Sequence, residues 1–192
     1  MRVPVYALLL GLMVSAPTVR ADGDGGGDAT AYDIEIHKND QLLLLKRGEA
    51  IAKRYHVALG SGGRGDKRES GDKRTPLGVY HVTEMVDNSP FHLFMRLDYP
   101  NVKDAYFGLK NKLISRVDFD RIVSARKAGT LPPQNTRLGG AIGIHGLPAD
   151  DSDTLIIHRH ANWTKGCIAL TNPEVNELRN LVAVGTKVTI KE

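Results

Sequence analysis

The chain has 192 residues, 41% of them hydrophobic and 25% charged, with a formal net charge of +4 and a single cysteine. That length suits one domain with a real core and is short for two ordinary ones. The weak positive charge comes without any basic run interleaved with aromatic residues, which argues against a nucleic-acid partner.

Residues 1–21 read as a secretory signal. Arg2 stands near the start, an apolar run extends from Val5 to Ala16, and Val19-Arg20-Ala21 occupies the cleavage positions. An uncleaved N-terminal anchor is the competing reading. The run is too short for a comfortable span, and no later segment approaches the roughly 18 to 20 apolar residues a spanning helix needs, so no stable membrane span is expected. Without Arg2 and Arg20 the mature chain carries about +2. Residues 22–31 are a glycine-rich, flexible leader, and 32–192 form the domain.

Alternation of apolar and polar residues opens the domain. Tyr32, Ile34 and Ile36 interleave with Asp33, Glu35 and His37, and Lys38-Asn39-Asp40 turns the chain into a partner strand over 41–46. Arg54 to Leu59 is a third strand. Gly60 to Arg74 is too polar and glycine-rich to pack; it lacks the spacing of a phosphate-binding loop and reads as a mobile surface loop. Thr75-Pro76-Leu77-Gly78 marks a turn, followed by a strand over 79–86 and another over 91–97 that stops at Tyr99-Pro100-Asn101. Helices are expected at 102–109 and 115–127, an irregular link at 131–140, and a short strand at 141–145. Asn172-Pro173 starts a last helix, with Asn172 as its cap; Gly185 ends it, and a strand over 186–190 closes the domain. The sum is mainly β with peripheral helices, an α+β domain without repeats. Strict βαβ alternation is absent, which disfavours a doubly wound parallel sheet.

The chemistry concentrates in Ile142-Gly143-Ile144-His145-Gly146 and Asn162-Trp163-Thr164-Lys165-Gly166-Cys167. In an oxidising compartment a lone Cys is buried and inert, paired between chains, or kept as a reactive thiol, and its setting after Lys165-Gly166 favours the last. An ordinary thiol is only a few per cent ionised at neutral pH, so a catalytic one needs an imidazole or positive charge nearby. His145 supplies the first. Glycines beside each residue would permit close approach of a substrate backbone, and amides around Gly166-Cys167 could bind a developing oxyanion.

These segments resemble the signature of the L,D-transpeptidase catalytic domain, the YkuD family of cell-wall enzymes. Gly143-Ile144-His145-Gly146 and Thr164-Lys165-Gly166-Cys167-Ile168 match its His and its Ser/Thr-His-Gly-Cys box, with Lys165 where the box has His and Ala169 where many members have Arg or Asn. Lys73-Arg74-Thr75-Pro76-Leu77-Gly78 resembles the family's Thr-Pro-x-Gly turn. Leu97 to Asn101 and Trp163 to Ala169 resemble a branch exported by Gram-negative bacteria. The resemblance implies a single β-sandwich domain in the periplasm, with Cys167 as nucleophile and His145 as proton carrier, its other ring nitrogen held by a backbone carbonyl near Thr164 or Lys165. Gly166, Thr164, Lys165 and Gly146 would border the reacting centre, with Trp163 and Arg74 as substrate contacts. It implies peptidoglycan stem peptides as partners, with an amine acceptor on a neighbouring stem or a protein lysine, and neither cofactor nor metal.

Other readings compete. Cys167 could be a buried structural thiol and His145 a satisfied core histidine. His158 and His160 invite a metal site, but their spacing fits no standard zinc pattern, and surface or wall-lining roles suit them better. A papain-like peptidase would place Cys before His, and a sortase needs an Arg on a later strand, whereas the only later Arg, Arg179, falls in a predicted helix. A hydrolase of the same fold that trims wall peptides, or a catalytically silent wall-binding module, remains an alternative.

Overall fold

Simple alternation builds the first ladder. In β1 (Asp33–His37) Ile34 and Ile36 turn inward at 1% and 0% exposure, while Asp33, Glu35 and His37 stay partly in solvent. The computed structural model describes Met1 and residues 31–192, so the expected signal and nearly all of the leader lie outside the described residues. After the turn, β2 (Leu42–Arg47) pairs antiparallel with β1, setting Ile36 against Leu43 and Ile34 against Leu45. Next comes β3 (Ala50–His56), which starts ahead of the expected Arg54. Its first half lies exposed, so no burial pattern announced it.

The second half of the sheet hangs on one long strand. In β4 (Gly78–Ser89) the stretch Gly78–His81 pairs antiparallel with β8 (Lys187–Lys191), and the stretch Val82–Ser89 pairs with β5 (His92–Leu97). Register shifts after Val82 and Val86 mark where the strand passes from one ladder to the other, as corner strands do. Two short strands complete the order: β6 (Gly143–His145) and β7 (Ile168–Ala169). The result is one eight-stranded mixed sheet, β3-β2-β1-β8-β4-β5-β6-β7, in which β1/β8 and β6/β7 are parallel. The two ends of that order touch, because Ala58 and Ala169 exchange backbone hydrogen bonds of 3.1 and 2.8 Å. Side chains of both ladders, including Ile36, Leu45, Tyr80, Met95, Ile144 and Val188, share one core.

Four helices lie around it: α1 (Val102–Lys110), α2 (Arg116–Lys127), α3 (Ser152–His160) and α4 (Asn172–Leu181). Asn101 with Asp104, and Ser115 with Asp118, form capping boxes that fix the first two starts. The α1–α2 pair buries a small cluster of its own, Ala105, Ile114, Ile122 and Leu138. At α4 the cap is Thr171 rather than the expected Asn172, and Glu174 accepts the Thr171 N–H at 3.0 Å. Asn172 instead accepts the Leu147 N–H at 2.7 Å, which ties the helix start to the chain just past β6. No helix among the described residues is long and apolar enough to cross a membrane.

The segment 60–74 corrects an expectation, since it packs around buried charges. Lys67, 5% exposed, donates to Asp72 Oδ1 at 2.7 Å and to Glu69 O at 2.9 Å. Asp72 also accepts the Arg68 and Arg74 amides at 2.7 and 3.1 Å. From the hairpin turn, buried Lys38 reaches across to Gly65 O and Thr75 O at 2.5 and 3.0 Å. Polar composition alone does not make a loop mobile when its charges find partners from far along the chain.

Candidate active site

The parallel pair β6/β7 sets the geometry. Ile144 lies opposite Ile168 and His145 opposite Ala169. Side chains alternate between faces along a strand, so Cys167, two residues before Ala169, falls on the same face as His145. Two residues along and one strand across correspond to a Cα separation of about 8 Å, a span that an imidazole and a thiol can close between them. Both side chains line one cavity of about 360 Å³ together with Phe91 and Phe94.

His145 is buried at 2% exposure. Its Nδ1 stands 2.6 Å from Gly146 O, and since a carbonyl only accepts, Nδ1 carries the proton and Nε2 keeps its lone pair. The carbonyl belongs to the adjoining residue, not to the expected Thr164–Lys165 segment. Phe91 packs against the imidazole at 4.6 Å between centroids, and Trp163 meets it edge-on at 5.7 Å. Burial lowers the imidazole pKa, the Gly146 hydrogen bond raises it, and His158 adds a lowering contribution.

The turn carrying the thiol is held from within. Buried Thr164 donates its hydroxyl to Cys167 O at 2.7 Å and accepts the Gly166 N–H at 3.1 Å. Gly166 has φ +128°, and a Cβ there would come within 2.8 Å of Arg74 O. Half-buried Cys167 directs its sulfur toward Ala141 O at 3.4 Å. Gln134 fixes that carbonyl's residue, accepting the Ala141 N–H at 2.7 Å and donating to Tyr99 O at 2.8 Å. Burial raises the thiol pKa, while the Gly143 amide, Lys67 and Arg96 work against the rise.

Compared with family sequence profiles, residues 31–190 match YkuD, the L,D-transpeptidase catalytic domain. The chain belongs to that family. Among solved structures it is similar to the helical cell shape determining protein Pgp2 (K307A mutant) from Campylobacter jejuni, at 23% identity and TM-score 0.57 over 84% of this chain and 47% of that one. It is also similar to Bd1075 of Bdellovibrio bacteriovorus, at 20% identity and TM-score 0.50 over 83% of this chain and 47% of that one. An L,D-transpeptidase (residues 123-326) from Xylanimonas cellulosilytica matches at 15% identity and TM-score 0.48, over 84% and 60%. The domain thus spans about half the length of the first two, and the likeness is one of fold. A search among curated proteins finds no match.

Within this L,D-transpeptidase domain the sequence-predicted residues separate by placement. Thr164, Gly166, Trp163 and Gly146 surround Cys167 and His145 directly. Lys165 is exposed and lines a second cavity, of about 550 Å³, that also reaches Cys167. Arg74 turns its guanidinium to Gly62 O at 3.3 Å, and only its backbone backs the Gly166 turn. The glycines beside His145 serve the protein's own packing. A Cβ on Gly143 would come within 2.5 Å of Met95 O and Phe94, and one on Gly146 within 2.5 Å of the Asn172 side chain.

His158 is not a surface residue: it is 1% exposed, and neither ring nitrogen has a hydrogen-bond partner. His160 on the same helix is exposed, and no group of three or more candidate metal ligands is gathered among the described residues. Sequence reasoning missed Phe91, Phe94, Arg96 and Lys67, which line the two cavities at the thiol. In the sequence Phe91 and Phe94 carry only a strand signal, and Lys67 lies in a stretch whose polar, glycine-rich composition argues against packing.

Proposed function

We propose that this domain is a periplasmic cysteine acyltransferase acting on peptidoglycan stem tetrapeptides. Cys167 Sγ attacks the carbonyl carbon joining the third residue to the terminal D-alanine, and the thiol proton passes to His145 Nε2. The oxyanion that forms is assigned to the amide of Cys167, which adjoins the sulfur, since the Gly166 amide already serves Thr164. As the C–N bond breaks, His145 returns its proton to the leaving amine, and D-alanine departs from a thioester. An amine on a neighbouring stem or a protein lysine then attacks the thioester, loses a proton to His145 and restores the thiol. Water in the same place would give trimming instead.

The observation that carries this reading is the His145 tautomer fixed by Gly146 O, which leaves Nε2 basic in a cavity shared with the thiol. Membership of the L,D-transpeptidase family supports the same assignment. The fold's likeness to Pgp2 supports a cell-wall setting in which shape is the phenotype to watch.

The test is intact mass after incubation with a stem tetrapeptide. The protein should gain the mass of the acyl tripeptide, and Cys167→Ser should gain none. Unchanged mass across all conditions would leave a wall-binding module as the better account. Product analysis separates the acceptors, since 3-3 dimers require an amine and free tripeptide requires water.

A further inference from the structure

A cavity of about 610 Å³, larger than the one shared by Cys167 and His145, opens between α2 and the outer face of β4 and β5. Neither Cys167 nor His145 lines it. Its size falls within the range of about 300–1,000 Å³ that small-molecule sites occupy. Val82, Pro100, Leu131, Pro132 and Val184 give it an aliphatic wall, and the fold leaves Leu131 and Val184 39% and 62% exposed. At the polar end a buried carboxylate braces a guanidinium. Asp98, 7% exposed, accepts the His81 N–H at Oδ1 (2.7 Å) and Arg126 Nη1 at Oδ2 (2.8 Å), and the His81 ring stands with Nδ1 3.2 Å from both Oδ2 and Nη1. Both carboxylate oxygens are therefore engaged. Arg126 meets these partners through Nη1 alone, so the edge formed by its Nε and Nη2 has no acceptor among the described residues. Arg96, which walls this cavity and the one at Cys167, is matched through Nε by Glu84 at 2.7 Å.

We propose that this cavity is a second ligand site, separate from Cys167 and His145, which takes a small carboxylate with an aliphatic body. The carboxylate pairs with the Nε–Nη2 edge of Arg126, and the body lies against Leu131, Pro132 and Val184. The inference does not rest on acyl transfer. A guanidinium already held by a buried carboxylate loses little freedom when a ligand arrives. The charges of the cluster cancel, so the attraction comes from N–H donors in fixed directions, not from surplus positive charge, and a planar carboxylate matches two parallel donors. Covering Leu131 and Val184 takes apolar surface out of water, which a small anion without an aliphatic body cannot do.

The probes are N-acetyl-leucine, N-acetyl-leucinamide and acetate, each titrated into isotope-labelled protein and followed by backbone amide chemical shifts. N-acetyl-leucine should move the Gly129, Thr130 and Gly185 amides saturably and leave those of Gly166 and Cys167 in place. Its affinity should exceed that of the leucinamide about tenfold, for the charge-assisted pair, and that of acetate by a similar factor, for the aliphatic body. Arg126→Lys keeps a cation beside Asp98 but has no second edge, and it should bring the acid down to the level of the amide. Val184→Trp, at an exposed position, should fill the cavity and abolish binding while the melting temperature stays within a few degrees of the parent.

Equal affinity for acid and amide, shifts confined to Gly166 and Cys167, or an acid preference that survives Arg126→Lys would overturn the inference, as would the absence of any saturable shift. The readout needs no turnover. A site mapped to Gly129, Thr130 and Gly185 stands even in a protein that never forms a thioester, and its absence counts against the cavity alone, leaving the chemistry at Cys167 untouched.

Discussion

Burial acts on the thiol and the imidazole of the candidate site in opposite directions, and both shifts favour the uncharged pair. It raises the pKa of Cys167, against the pull of the Gly143 amide, Lys67 and Arg96, and it lowers that of His145, against the Gly146 hydrogen bond. The pair is therefore expected to rest as thiol and neutral imidazole, and under the proposed acyl transfer the proton would move as the C–S bond forms, not before. Alkylation of Cys167 by iodoacetamide should be slow at pH 7 and should climb with a midpoint above 9.0. A midpoint near neutrality would mean a preformed thiolate and would contradict this account. That Cys167 and His145 would share one cavity was legible from the sequence, because a lone Cys and a glycine-flanked His stand out in it. Its surroundings were not. Phe91 and Phe94 reach the imidazole through contacts made by β5 and the chain just before it, which no local spacing displays. The glycines misled for a related reason, since packing within the fold demands them as firmly as a substrate would.

Elements with strong local signals were legible, and those defined by their neighbours were not. Alternation announced β1 and β5, turns announced β2 and β4, helical spacing announced α2, and Asn172-Pro173 announced α4 one residue off its cap. The helix α3 escaped because its apolar pair Ile156 and Ile157 is exposed, at 57% and 52%, while a histidine takes the buried position. The strand β7 has only two residues and exists because β6 and Ala58 flank it. Segment 60–74 is the largest reversal, and Asp72 is its hub. Burial pushes the Asp72 carboxyl up, but the Lys67 ammonium and the amides of Arg68, Arg74 and Glu69 outweigh that and hold it below its ordinary range. Asp72→Asn would strand the buried Lys67 charge, so a loss of about 3 kcal/mol in unfolding free energy is expected. Trypsin should then cut within 60–74 well before the rest of the domain. A variant as stable and as resistant as the parent would show that the ion pair organises nothing.

At the scale of the whole molecule, buried neutral histidines set how stability responds to acid. His158 has no hydrogen-bond partner, and burial followed by His56 lowers its pKa below 6.5, with Glu174 opposing; His145 is lowered too. A group held below its unfolded value in this way binds its proton more readily in the unfolded chain. Stability should therefore be full above about pH 6.5 and fall as the pH drops through and below that value. Melting temperatures from pH 8 to pH 5 would show it. His158→Leu, which removes two unpartnered nitrogens, should be more stable by about 1 kcal/mol and should flatten the acid limb. An equally steep limb in the variant would point to other groups.

The order of the sheet carries a further consequence. The strand between β1 and β4 is β8, the last strand of the domain, so until residues 187–191 arrive the amino-terminal meander and the half that bears Cys167 are joined within the sheet only by the isolated bridges Ala58–Ala169 and Gly60–Thr164. Residues 187–191 must be made before the keystone can drop in. A nascent polypeptide can hold the thiol, the imidazole and most of the apolar side chains and still have no closed architecture. Such late, distant pairing is slow to form, so the groove that holds Cys167 and His145 is completed only after most of the domain has been made.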